Sequence, residues 1–315
     1  MSKYIIRRIL LGLLVLWLVT LITFIMTRML PGDVLDRLFQ DAVAHQKTIE
    51  SVRHSLGLDR PVYVQYFVWM KGLFEGDFGD SIRTGRPVLT EIANRLPVTF
   101  QLGLMALFIS IPMGVLIGLI SAVRQRSLLD YGGRTLAIAG LSFPDFFIGT
   151  VIVLYTSKYL HYVTPVYFQN IWVSPVKNLE MLYIPALILG FRMSASSMRI
   201  MRSSMLEVLR QDYIRTAWAK GLREQLVIGR HAVKNALIPV ITVLGGQLGI
   251  LLGGTVIMEM LFTLPGMGRL AIESVNFRDY PQIQGVVLIM ASFIVFMNLV
   301  VDILYSYLDP RIVYK

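Results

Sequence analysis

The sequence predicts an all-α integral membrane protein with six transmembrane helices. Three observations lead there: the bulk composition, the length of the uncharged runs, and the uneven placement of the basic residues. Of 315 residues, 55% are hydrophobic and 16% are charged, with a mean hydropathy of +0.62. A soluble domain carries about 25% charged residues, so an ordinary soluble enzyme of this size is excluded. The same apolar content excludes a disordered chain. The sequence has no cysteine, which removes disulfides, thiolate metal sites and a cysteine nucleophile.

Crossing the hydrocarbon takes about 20 helical residues. Residues 1–30 are expected to hold an N-terminal segment and the first span, because 19 uncharged residues separate Arg8 from Arg28. Lys3, Arg7 and Arg8 ahead of that run imitate a signal peptide. The run is longer than a usual signal core and ends in Leu30-Pro31-Gly32-Asp33 rather than a small-x-small cleavage site, so a retained helix is expected. Residues 31–95 form an expected extracytoplasmic insertion, and residues 96–315 the core transmembrane domain.

Within that core the second span covers 96–123, where 28 uncharged residues lie between Arg95 and Arg124. The third covers 134–158, interrupted only by Asp145. The fourth, 181–199, has the weakest signal: Met181 to Phe191 precede Arg192, and apolar character continues to Met198. A basic segment follows over 200–233. The fifth span covers 234–259 and the sixth 281–304, on uncharged runs of 24 and 22 residues.

The charge pattern supports six spans. With the N-terminus inside, 17 of the 30 basic residues fall on inside segments and only Lys158, Lys177, Arg269 and Arg278 on short outside loops. The other nine lie from Arg28 to Arg95, in a segment too long for the positive-inside rule to govern. Both termini are expected inside. The net charge of +10 therefore reflects topology rather than nucleic-acid binding.

The insertion has ordinary soluble composition, with nine acidic and eight basic residues in 31–95. Pro61 opens an amphipathic stretch with Val62, Tyr66, Trp69, Met70 and Leu73 at helical spacing. Gly72, Gly76 and Gly79 mark turns. A second short helix is expected from Pro87, with Val88, Ile92 and Leu96 on one face. A compact cap and a docking surface for an extracytoplasmic partner are both compatible with this segment. Asp33, Asp36 and Asp41 lack the spacing and closing Glu of a calcium loop, so no metal site is expected.

In the basic segment, Ile200, Met205, Val208 and Leu209 share one helix face, and Ile214, Ala217 and Trp218 repeat the pattern. Ala217, Ala219 and Gly221 suit a short helix ending in a turn. Such a helix fits a groove on a partner protein or lies on anionic lipid, and the pattern alone leans toward lipid. A nucleic-acid role is weaker, since no recognition fold accompanies the basic residues.

Inside the membrane, Gly245, Gly249 and Gly253 repeat every four residues, leaving a flat face for close helix packing. Gly114 and Gly118 do the same in the second span. Asp145, Gln247, Glu259 and Asn298 are the candidate pathway-lining residues, because polar groups at this depth tend to face a bundle interior or a water path. Asp302, and on the simpler reading Glu259 too, sits at a membrane interface. There is no G-x-x-x-x-G-K-[ST] phosphate loop, no H-E-x-x-H and no G-x-S-x-G. The four histidines are scattered through different loops.

The segment Asp212-Tyr-Ile-Arg-Thr-Ala-Trp-Ala-Lys-Gly221, followed by Arg230-His-Ala-Val-Lys-Asn-Ala-Leu-Ile-Pro239, resembles the cytoplasmic coupling motif of ABC importer permeases. It is closest to the dipeptide/oligopeptide/nickel family. The general motif reads E-A-A-x3-G and later I-x-L-P. Here Arg215-Thr216-Ala217 stands in place of E-A-A, Gly221 keeps its position, and the proline arrives late, at Pro239. The likeness extends along the chain. It includes Arg7-Arg8, Leu30-Pro31-Gly32-Asp33, Leu56-Gly57-Leu58-Asp59-Arg60-Pro61 and Gly76-Asp77-Phe78-Gly79. It continues through Ser204 to Leu209, Glu259 through Gly268, Arg278-Asp279-Tyr280-Pro281 and Asp309-Pro310-Arg311. Together these resemble the B-type permease subunit.

The resemblance implies a type I importer permease fold and a non-enzymatic transport subunit in a prokaryotic cytoplasmic (inner) membrane. The implied partners are a second related permease, two ATP-binding cassette subunits, an extracytoplasmic substrate-binding protein and membrane lipid, with no nucleic acid. No cofactor is expected on this chain; ATP and Mg would sit on the partner ATPases. Glu207, Tyr213, Arg215, Thr216, Ala217, Lys220 and Gly221 become the expected ATPase-coupling residues, and residues 200–233 the coupling segment. Di- or oligopeptides are the expected cargo, with nickel or another small solute as the alternative. From a different class, an ion-driven secondary transporter would need internal repeats and midplane ion ligands, and neither is evident.

Overall fold

The computed structural model describes residues 2–29, 53–54, 57, 59–163, 165 and 168–308, with side chains described at these positions except 2–4, 248–254 and 304–308. Leu30-Pro31-Gly32-Asp33, the Asp33/Asp36/Asp41 group, His45 and the Asp309-Pro310-Arg311 tail lie outside the described residues. Among those described, the elements are helical and no strand is formed. In chain order they are α1 (Ser2–Met29), α2 (Val62–Glu75), α3 (Val88–Val123), α4 (Leu128–Ser142), α5 (Asp145–Leu160), α6 (Pro175–Val208) and α7 (Asp212–Ala219). Then come α8 (Glu224–Leu226), a π-helical turn (Val227–Ala232), α9 (Val233–Leu261), α10 (Met267–Phe277) and α11 (Tyr280–Leu308). Five helices are long and apolar enough to cross a membrane, and α4 with α5 makes up to six if that bent pair is one span.

The chain divides into two units, Met1–Val98 with Pro265–Phe296, and Thr99–Leu264 with Met297–Lys315. In the first unit, α2 begins after Pro61 and ends at Gly76, whose φ of 82° lets the amide groups of Gly76 and Asp77 reach back to Leu73 and Gly72. Its aromatic face closes on α1: Phe24 is 5.3 Å from Tyr66 and 5.9 Å from Trp69 between ring centres, and the hydroxyls of Thr20 and Tyr66 are 3.1 Å apart. The Val88, Ile92 and Leu96 face packs with Met267, Leu270 and Val286. Asp279, buried between α10 and α11, gathers the turn before α3. It accepts from Ser81 Oγ at 2.5 Å and from the amides of Ile82 and Arg83 at 3.1 and 3.3 Å.

Three boundaries differ from the sequence reading. The separate short helix expected from Pro87 is instead the start of α3, which runs unbroken to Val123. An uncharged run marks the hydrocarbon-crossing part, whereas Glu91 and Arg95 are ordinary residues of an amphipathic extension. The fourth span, expected over 181–199, is part of the longer α6, Pro175–Val208, which takes in the first residues assigned to the coupling segment. The third, expected as one span over 134–158, is two helices meeting at 100°. Pro144 is the cause: its ring disfavours helical geometry at the preceding residue, and Phe143 is extended at φ −90°, ψ 128°. The chain then restarts a helix at Asp145, whose carboxylate suits a helix N-terminus.

In the second unit α6 is central, packing against α4, α5 and α9. Small residues make this possible. A Cβ on Gly190 would come within 2.8 Å of Ile109 Cβ and 2.9 Å of the Ala106 carbonyl, and one on Gly118 within 2.7 Å of the Met198 carbonyl. Backbone thus approaches backbone at two points along the α3–α6 seam.

Candidate coupling site

Asp130, on the first turn of α4, anchors the frame beneath the site. Ser127 caps that helix, accepting from the Asp130 amide at 3.3 Å. The Asp130 carboxylate is 1% exposed and takes a bidentate pair from Arg202 of α6, with Nε at 2.7 Å and Nη2 at 2.9 Å. Ser121 Oγ of α3 donates at 2.6 Å and the Arg126 amide at 3.0 Å. Three helices are joined through one carboxylate whose charge is matched and whose acceptor sites are filled, the condition under which a buried ion pair is tolerated. The sequence reading missed this pair. The Ser127-x-x-Asp130 capping spacing was the available signal.

Beyond this frame α6 ends at Val208, and Leu209, Arg210 and Gln211 form a turn. The coupling segment expected over 200–233 therefore opens with the end of α6 and a joint ahead of α7. Helix α7 starts with Asp212, favourable at a helix N-terminus, and Asp212 Oδ1 is 3.3 Å from Arg215 Nη1. It stops at Gly221, which adopts φ 74°. The Gly221 amide donates to Trp218 and the Leu222 amide to Ala217, a pattern that satisfies the last carbonyls of the helix. A Cβ at Gly221 would meet nothing within 4 Å. Glycine is needed there for its backbone angle, and the space beside it is open.

Helix α7 has two faces. Ile214 and Ala217 are buried with Met201 and Met205 of α6, Val227 and Ala232 of the π-helical turn, and Ala236 and Val240 of α9. Tyr213, Arg215, Thr216, Trp218, Lys220 and Gly221 are exposed, as is Glu207 at the end of α6. Ala217 is thus separated from the other expected coupling residues, because its small side chain is what lets α7 seat against this core. Asn235 Nδ2 donates to Tyr213 Oη at 2.8 Å, fixing the outer face to the first turn of α9. One apolar cluster therefore joins α7 to the ends of α6 and α9.

Of the candidate pathway residues, two converge and two do not. Asp145, 4% exposed, accepts from Arg192 Nη1 at 2.5 Å, and Gln247 Nε2 donates to the Met193 carbonyl at 3.0 Å. Both reach consecutive residues of α6. Asp145 Oδ1 and Gln247 Oε1 are buried without a hydrogen-bond partner among the described residues, leaving acceptor capacity at this depth. Glu259 is instead fully enclosed and accepts from Thr99 Oγ1 at 2.7 Å. Asn298 is exposed on α11. In the glycine row, Gly245 is half-buried, while the surroundings of Gly249 and Gly253 lie outside the described residues.

The apolar helices and the enclosed polar centre define a multi-pass helical membrane protein carrying a small two-faced helix between two of its spans. Residues 114–314 match the family described as binding-protein-dependent transport system inner membrane component, and residues 1–103 match its N-terminal region. The chain belongs to this family and is a permease component of a binding-protein-dependent transport system. It is 39% identical to a putative peptide transport system permease protein of Brucella suis and 39% identical to the dipeptide transport system permease protein DppB of Alkalihalophilus pseudofirmus. It is 40% identical to the glutathione transport system permease protein GsiC of Pectobacterium atrosepticum. Each match covers 100% of both chains.

Proposed function

We propose that this chain is one of two permeases forming the pathway of an ATP-driven importer for di- or oligopeptides, with α7 as its contact to the ATPases. The observation that carries the coupling reading is the division of α7. Ile214 and Ala217 anchor it in its own core while Tyr213, Arg215, Thr216, Trp218 and Lys220 face outward. Two exposed aromatics, 43% and 45% exposed at Tyr213 and Trp218, suit a protein groove. Peptide cargo is supported by the names of the full-length relatives.

In this reading two cassette ATPases bind ATP and Mg and close around it, each holding one coupling helix. Closure pushes α7, and α6 and α9 follow because the cluster around Met205, Ile214 and Val227 ties all three together. The alternation admits peptide from an extracytoplasmic binding protein and releases it inward. Both termini and α7 lie on the cytoplasmic side of a prokaryotic inner membrane. Glu207, Arg215, Thr216, Lys220 and Gly221 border the contact.

The test is Gly221→Trp in the assembled transporter, reconstituted with its binding protein in liposomes. Retained ATP hydrolysis with uptake reduced at least to the background is expected. Normal uptake by a stably assembled variant would overturn the coupling role. A binding protein that retains no peptide, measured by calorimetry, would overturn the cargo.

A further inference from the structure

We propose that the groove between α3, α4 and α6 binds an anionic phospholipid, its phosphate held by Arg134 and Arg199. The groove is a cavity of about 290 Å3, with Ile117, Ile138, Leu141 and Met198 among its walls. Gly118 of α3 and Gly133 of α4 also line it. Arg134, Arg199 and Arg202 are its basic lining residues. Arg202 is already neutralised by Asp130. Arg134 and Arg199 are exposed, line the same cavity and form no ion pair among the described residues.

On α4 the basic and the apolar lining residues are set apart along the helix. Arg134 and Leu141 lie two turns apart on α4, roughly 10 Å at the helical rise. A ligand filling the groove therefore needs an anionic end and an apolar body. A guanidinium pair matches phosphate oxygens in bidentate geometry. Basic pockets between transmembrane helices with an apolar interior are suited to phospholipid headgroups and the first part of their chains. A free phosphate would leave the apolar walls in contact with water. The site depends only on membrane residence, so it stands apart from the peptide and coupling readings.

The experiment uses the assembled transporter in mild detergent, with native mass spectrometry reading lipid adducts. The probes are phosphatidylglycerol, phosphatidylcholine with the same chains, and inorganic phosphate. Phosphatidylglycerol should bind this chain, and Arg134→Gln/Arg199→Gln should weaken it by about thirtyfold, as expected for two surface cations. Arg124→Gln/Arg230→Gln, which removes the same charge elsewhere, should leave it within about twofold of the parent.

A second readout exploits the absence of cysteine. Ser203→Cys supplies a thiol beside the groove, and phosphatidylglycerol should slow its maleimide labelling while phosphatidylcholine does not. Equal binding of the two lipids, equal loss in both double variants, or displacement by inorganic phosphate would overturn the proposal. Labelling blocked by the second permease in delipidated transporter would overturn it too, by showing a protein over the groove.

Discussion

Helix α1 is the more apolar and the less enclosed of two spans, with 11% of its most apolar stretch buried, whereas 61% of the corresponding stretch of α6 is buried. A soluble protein would arrange them the other way. Here the apolar medium is outside, so Ile6, Leu10, Leu13 and Leu14 of α1 remain exposed on the protein. No hydrophobic force separates such side chains from lipid. Helix α6 has protein on most sides and can therefore hold Asn178, Ser194 and Ser197 fully buried, with Arg202 paired to Asp130. Polarity within a span reports protein neighbours, and that is where close packing and function concentrate.

The comparison can be broken most strongly at the ion pair. Arg202→Met leaves Asp130 charged and enclosed, and a loss of about 3–5 kcal/mol is expected. Thermal unfolding in a fixed detergent should show a large fall in Tm, partly restored by adding Asp130→Leu. An unchanged Tm for the single variant would mean that the α6 interior is wetter than its geometry states.

Next comes Gly190→Ala. Its Cβ would press on the Ala106 carbonyl, which cannot rotate away, so about 1–3 kcal/mol is expected from overpacking. Gly12→Ala on α1 is the matched control. Its Cβ would lie 2.8 Å from Val295 Cγ1, a side-chain end that can turn for about 0.5–1.5 kcal/mol. Reversal of that order in unfolding measurements would undo the contrast.

At the edge of the enclosed region, Gly221→Ala meets no atom but must hold φ 74°. About 1–2 kcal/mol is expected from the backbone alone, with assembly retained when the complex is sized by gel filtration. The smallest effect belongs to Leu10→Ala, 61% exposed at Leu10. Tm of the isolated chain should stay within the equivalent of about 0.5 kcal/mol. A fall seen only in the assembled transporter would assign that face to a protein partner rather than lipid.

Much of the fold was legible because the signals were local. Uncharged runs locate the apolar helices, Pro61 and Gly76 bound α2, and Gly221 ends α7 where its spacing predicts. The weak fourth signal became intelligible only in three dimensions: α6 is less apolar because it is enclosed. Pro144 was visible in the sequence, but its 100° consequence was not, since a proline in a span can kink or break it. Within the segment expected to couple, the motif picked out residues 212–221. It did not separate Ala217, which faces inward, from Arg215 and Thr216, which face outward.

The sequence by itself determined the membrane class, the positions of the apolar helices and the turn that closes α7. Each depends on a few neighbouring residues and on the cost of burying charge in hydrocarbon. Only the tertiary structure decided which polar groups meet: Asp130 with Arg202, 72 positions apart, and Ser81 with Asp279, 198 apart. Those pairings depend on which helices can approach through small residues and on a helical break at Pro144. No local periodicity encodes them, because lipid satisfies an apolar face as well as another helix does.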